Sequence, residues 1–200
     1  MLTGKNSSVP PRLLALIPLA VGINLAMGIV VAALSLPLFL DTVGTVMIAA
    51  LAGPAAAVAT GILSQVVFTL FSGNPVWLAF LPVQLAVALY AAFVARRGFF
   101  SSVMRAVGSG ALLGFIAASL SWPITYFAFG GVTAGGVAVV TAFLNGLGVP
   151  LGWAVYGASL STDVIDKTVT FLLVWSLLNS LPKRMTARFP AARRSLGRVA

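Results

Sequence analysis

The residues that could do chemistry are few. Asp41, Asp163 and Asp166 are the only acids in the 200 residues, and the chain has no Glu, His or Cys. That excludes a disulfide framework, thiolate chemistry, His-based acid–base catalysis and any Cys/His metal site. Asp163, Asp166, Lys167 and Thr170 recur at the spacing of one helical face. Two readings fit this group. Two acids in a first turn suit the helix dipole, so the group could cap a helix that begins at Asp163, with Lys167 paired locally. Alternatively Lys167, one turn below such a cap, either snorkels to an interface or faces a polar cavity.

The uncharged candidates are spread along the chain. Asn74 lies in the turn Ser72-Gly-Asn-Pro75, Gln84 on the face that begins at Trp77, and Asn145 in a Gly-rich stretch. Ser119, Trp122 and Tyr126 share a face at i, i+3, i+7. That face is either an interfacial aromatic belt or, at Trp122, the wall of a pocket for a flat organic ligand. Trp77 is read as belt. Asn24 and Gln65, lone amides in apolar runs, are read as interhelical hydrogen bonders. No metal site and no cofactor are expected.

The elements that carry these residues are membrane helices. Apolar residues make up 60% of the chain and charged residues 8%, where a soluble domain carries roughly a quarter charged residues. The net charge of +9 does not point to nucleic acid, because the basic residues sit between apolar runs too long for a soluble core. A span needs about 20 apolar residues. Leu13–Leu36 is the first. Thr42–Phe71 is too long for one span, and Gly53-Pro54 divides it into Thr42–Ala52 and Pro54–Phe71. Val76–Ala95, Ser102–Phe129 and Asp163–Leu181 complete six. Val132–Thr162, apolar but Gly-rich and containing Pro150, is expected to be a non-spanning re-entrant or capping segment.

Charge sets the expected orientation. With six spans and the N-terminus inside, Lys5, Arg12, Arg96, Arg97, Arg105, Lys183, Arg184, Arg188, Arg193, Arg194 and Arg198 fall inside, and only Lys167 falls outside, with all three Asp. The positive-inside rule favours this arrangement. A seventh span over Gly136–Ser159 would split the cations six against six, and merging the second and third spans would place Arg96 and Arg97 outside. The expectation is therefore an all-α integral membrane protein. It has a cytoplasmic segment 1–12, a six-helix membrane domain 13–182, a basic cytoplasmic tail 183–200 expected to fray over Met185–Ala200, and the capping segment on the outer side. The first apolar run is long enough to span and lacks the cleavage pattern of a signal peptide.

Small residues mark close helix approaches: Gly22-x-x-x-Ala26 and Gly28-x-x-x-Ala32 in the first span, and Gly108, Gly110 and Gly114 in the fifth. There is no P-loop, no evident internal repeat and no intramembrane acid or His relay. A chain with these features lets solute flow passively, borrows energy from a partner, or senses. No acid, base and nucleophile constellation of an enzyme appears.

Leu36-Pro-Leu-Phe-Leu-Asp41-Thr-Val-Gly-Thr45, Ala49-Ala-Leu-Ala-Gly53-Pro54, the Gly61-containing third span, and Asp166-Lys167 opening a last helix that ends Leu181-Pro182 together resemble the substrate-binding S components of energy-coupling factor (ECF) vitamin transporters. The resemblance covers roughly Leu13–Pro182. It implies a multi-pass subunit of a prokaryotic cell membrane that binds a small water-soluble vitamin or precursor at the outer side. Such a subunit docks on a transmembrane coupling protein carried by two ATPases. It implies a binding site among Asp41, Asn74, Gln84, Trp122, Tyr126, Asn145, Asp163, Asp166 and Lys167. It also implies partner docking through Gly22, Ala26, Gly28 and Ala32. The alternative from another class is a membrane-embedded sensor or input module that transports nothing.

Overall fold

The computed structural model describes residues 15–132, 136–186 and 188–198; the expected segment 1–12, with Lys5 and Arg12, lies outside the described residues. These residues are mostly helical, with no strand among them. The helices are α1 (Leu16–Ala33), α2 (Val43–Ala52), α3 (Pro54–Ser72), the single turn α4 (Val76–Ala79), α5 (Leu81–Arg96) and α6 (Val103–Pro123). They continue with α7 (Gly136–Gly146), α8 (Leu151–Ser180), α9 (Lys183–Thr186) and α10 (Pro190–Ser195). Leu16–Ala33, Pro54–Ser72 and Val103–Ala128 are each long and apolar enough to cross a membrane. Large apolar side chains such as Leu19, Leu70, Met104, Phe127 and Trp153 stand exposed on the outside of the bundle. A bundle apolar on its outer surface as well as in its core is made for lipid contact.

The division at Gly53-Pro54 is present. Gly53 takes φ +90°, a conformation glycine adopts without a Cβ penalty, and Pro54 occupies the first turn of α3, where its missing N–H is not needed. The expected single helix from Val76 to Ala95 is in fact broken at Phe80, and α5 restarts with Pro82 in its first turn.

The largest departure concerns the last helix. It begins at Leu151, directly after Pro150, and runs unbroken for 30 residues, or ~45 Å at 1.5 Å per residue. Asp163, Asp166 and Lys167 therefore lie in its middle, buried, and cap nothing. The expected capping segment reduces to α7 and the turn 147–150, since Leu151–Thr162 belongs to α8. The basic tail is ordered into helix over much of its described length rather than frayed. After Phe189 the chain forms α10, which packs on α2 and α5 and buries Ala192, Ser195 and Leu196.

Two close approaches fix the bundle. The α6–α8 contact is the most extensive helix pair. A Cβ on Gly114 would sit 2.4 Å from Val164 Cα and 2.5 Å from Asp163 O, and one on Gly110 2.7 Å from Lys167 O. The Gly110-x-x-x-Gly114 spacing thus lets two backbones touch. Gly108, by contrast, faces open space. In the second approach, a Cβ on Gly44 would lie 2.0 Å from Ala20 O, which seats α2 against α1. Beside that contact Asn24 is fully buried. Its Nδ2 donates to Thr45 Oγ1 and Ser64 Oγ, each at 2.9 Å, and its Oδ1 accepts the Gly44 N–H at 2.7 Å. Asn24 is the interhelical hydrogen bonder expected of it, joining α1, α2 and α3.

Gly114→Ala should lower stability by about 1–3 kcal/mol, the usual cost of overpacking. Gly108→Ala should be neutral or raise it by roughly 0.5–1 kcal/mol through helix propensity. Thermal unfolding of both variants in detergent checks the pair, and equal midpoints would remove the close-crossing account.

Candidate functional site

The site is built on a buried carboxylate. Asp166 is fully buried in mid-α8. Its Oδ1 accepts the Phe39 and Leu40 N–H groups at 2.9 and 2.7 Å, and its Oδ2 accepts from Lys167 Nζ. The loop 34–42 that it holds is unusual. Ser35 and Leu40 take φ of 52° and 49°, a left-handed conformation that costs a non-glycine residue on the order of 1–3 kcal/mol. The loop folds back along α1, so that Asp41 Cβ lies 3.8 Å from the position a Gly28 Cβ would take. Asp41 is thereby brought to the depth of mid-α8, where its Oδ1 is 3.8 Å from Lys167 Nζ and its Oδ2 accepts from Gln84 Nε2 at 3.4 Å.

These groups border a cavity of about 190 Å³. Asp41, Asp163 and Lys167 line it, with Gln65 from α3, Gln84 from α5, Ser121 from α6 and Thr125 from just beyond it. Ser121 Oγ donates to Asp163 Oδ2 at 3.2 Å. Thr125 reaches the cavity from a π-helical stretch, Ile124–Ala128. Pro123 supplies no N–H to the α6 ladder, and the backbone widens directly after it, as such turns do at functional sites. Phe39, Trp77 and Phe80 give the aromatic walls, and Trp77 is backed by Phe68 with ring centroids 5.0 Å apart. Over the cavity, Val137 of α7 contributes to the lining. The start of α7 rests on the loop, since a Cβ on Gly136 would lie 2.7 Å from Pro37 N.

Of the sequence candidates, Asp41, Asn74, Gln84, Asp163 and Lys167 line this cavity, and Asp166 stands behind it. Trp122, Tyr126 and Asn145 do not line it. Trp122 Nε1 donates to Gly152 O at 2.9 Å, and its ring stacks on Tyr126 and meets Tyr156 edge-on, so it fastens α6 to the first turn of α8. Asn145 is exposed and its Nδ2 donates to Val149 O at 3.0 Å, closing the turn after α7. Two residues read otherwise belong to the lining. Gln65 is a cavity residue rather than an interhelical bonder, and Trp77 is a cavity wall rather than belt. For Gln65 the signal was present, because a polar side chain in an apolar span is a functional candidate by default. The hydroxyls of Ser121, Thr125 and Ser159 gave none. Among the docking candidates, Gly22, Ala26 and Ala32 face outward, whereas Gly28 is covered, a Cβ there lying 2.8 Å from the Phe68 ring.

Fold and site together define, among the described residues, a helical bundle with an apolar exterior and a partly open cavity of small-molecule size, lined by apolar and by charged side chains. No protein-family model, curated protein or solved structure matches the chain.

Asp166→Ala would leave two backbone N–H groups and the Lys167 ammonium without their acceptor. It should cost about 3–5 kcal/mol, as for one member of a buried pair. Denaturant titration in detergent measures this, and a loss below about 1 kcal/mol would mean that the loop is held elsewhere.

Proposed function

We propose that the chain is the substrate-binding membrane subunit of an ECF-type importer, taking a small water-soluble vitamin or precursor from outside the cell. The observation that carries this reading is the polarity of the bundle. The cavity and its acids lie at one end, where α3 ends, α5 begins and α6 ends. Arg96, Arg97, Arg193 and Arg194 gather at the other, where α5 ends against α10. With the arginine-rich end cytoplasmic, the cavity faces outward. In this reading α1, α2, α3, α5, α6 and α8 make six passes and both termini are cytoplasmic. α2 is only ~15 Å long, too short to cross alone. The folded-back loop 34–42 makes up the rest of that pass and carries Asp41 down to the ligand. α7 and the first turns of α8 form the outer cover.

The chain has no nucleotide-binding motif, so uptake in this proposal draws on a coupling protein and two ATPases. Gly22, Ala26 and Ala32, outward-facing with open space beside Gly22, form the docking strip. Gly28 is excluded from it by Phe68. Gly22→Leu with Ala26→Leu should abolish uptake in cells that express the coupling module while leaving small-molecule binding by the detergent-purified subunit intact. Cysteine placed at Asn145 should react with a membrane-impermeant maleimide on whole cells, and cysteine at Ser101 should not. Labelling of Ser101 from outside, or loss of binding and uptake together in the double variant, would overturn the reading.

A further inference from the structure

Two carboxylates, Asp41 and Asp163, and one ammonium, Lys167, line the cavity, and a third carboxylate, Asp166, stands behind it. Asp166 is saturated by two backbone N–H groups and Lys167. Lys167 is thereby engaged, and no other Lys or Arg lines the cavity among the described residues. Asp41 and Asp163, both buried, therefore share what remains of one ammonium, with neutral donors from Gln84 and Ser121. A buried carboxylate without a cation is costly. A second observation is independent of the acids. Thr42, Gln65 and Gln84 are at most 3% exposed and line the same cavity. Thr42 Oγ1, Gln65 Oε1 and Gln84 Oε1 have no hydrogen-bond partner among the described residues. The Gln84 amide is oriented by its Nε2 donating to Asp41, which leaves its oxygen for a donor. The polar lining thus presents two unpaired amide oxygens, a Thr42 hydroxyl that can donate or accept, and two carboxylates to one ammonium. The apolar lining presents Phe39, Trp77 and Phe80, and aromatic faces attract cations.

We infer that the cavity is specific for a small organic cation with N–H donors and a flat or compact apolar body, seated between Asp163 and Asp41 and against Trp77. This rests on the cavity being the ligand site, as proposed above. The alternative cation, a metal ion, is disfavoured by the donor set: Asp166 has both oxygens engaged, and among the described residues no three acids converge on one point.

The test uses three probes of nearly equal size and different charge: benzylammonium, benzyl alcohol and benzoate. Their binding to the full-length detergent-purified protein is measured by ligand-observed NMR, with Val83→Trp, which fills the cavity, as the control for site. Benzylammonium should bind at least roughly tenfold more tightly than benzyl alcohol, and benzoate most weakly, as for a charge-assisted pair in a buried site. Asp163→Asn and Asp41→Asn should each reduce the benzylammonium preference. Binding of benzyl alcohol or benzoate as tight as that of benzylammonium, and sensitive to Val83→Trp, overturns the cation inference while leaving the cavity a ligand site. A cation preference that survives both Asn variants overturns it as well. If no probe shows binding sensitive to Val83→Trp, the ligand-site reading itself fails, and the inference with it.

Discussion

The structure depends on one buried carboxylate accepting two backbone N–H groups from a distant loop. Phe39 and Leu40 are more than 120 residues from Asp166 in sequence, and the loop that carries them includes two non-glycine residues with positive φ. A loop in water would relax out of that conformation. Here each charge-assisted hydrogen bond contributes on the order of 1.5–3 kcal/mol, enough to offset the strain. Lys167 completes the arrangement by donating to the other carboxylate oxygen, Oδ2, so that both oxygens of the buried Asp166 are hydrogen-bonded.

The clamp works only because α8 is held at the right height and rotation. That is the role of Gly110 and Gly114, which bring α6 within backbone contact of α8 at Asp163–Thr168. A larger residue at either position would push away the turn that carries Asp163 and Lys167. On the other side, Gly44 and Asn24 hold α2 against α1, so the chain leaving Asp41 has one course. The cavity lies between the loop 34–42 and the α6–α8 pair, and α3, α5 and the turn that joins them supply its other walls.

Much of the helical layout was legible because apolar runs and Gly/Pro breaks report directly on helices and their ends. Gly53-Pro54 and the Gly110-x-x-x-Gly114 face are examples. The site was only half legible. An Asp-x-x-Asp-Lys pattern has the composition of a first turn, and nothing local distinguishes it from a polar patch buried in mid-helix. What decides between them is the loop N–H groups that solvate Asp166, and these come from another part of the chain. The true start of α8 did carry a signal, Pro150 after Gly148 at φ +88°, but the Gly-rich stretch around it masked the helix period. Trp122 misled for a related reason. Sequence places an aromatic residue on a helix face, whereas the hydrogen bond that turns its indole toward Gly152 depends on where α8 begins.

Loop, cover and carboxylates therefore behave as one unit. Asp166 fixes Phe39 and Leu40, the next residue is Asp41, and the same loop at Leu36–Pro37 supports the start of α7. The positions of the cover helix, of one cavity acid and of one aromatic wall, Phe39, are thus set by a single anchoring point in mid-α8. Lys167 lies next to that anchor in sequence and next to Asp41 in space, so the charge balance inside the cavity and the geometry of its cover are coupled through two adjacent residues. A substitution that changes either residue changes both, which separates Asp166 and Lys167 from lining residues such as Trp77 or Gln65, whose loss alters the walls and leaves the anchor in place.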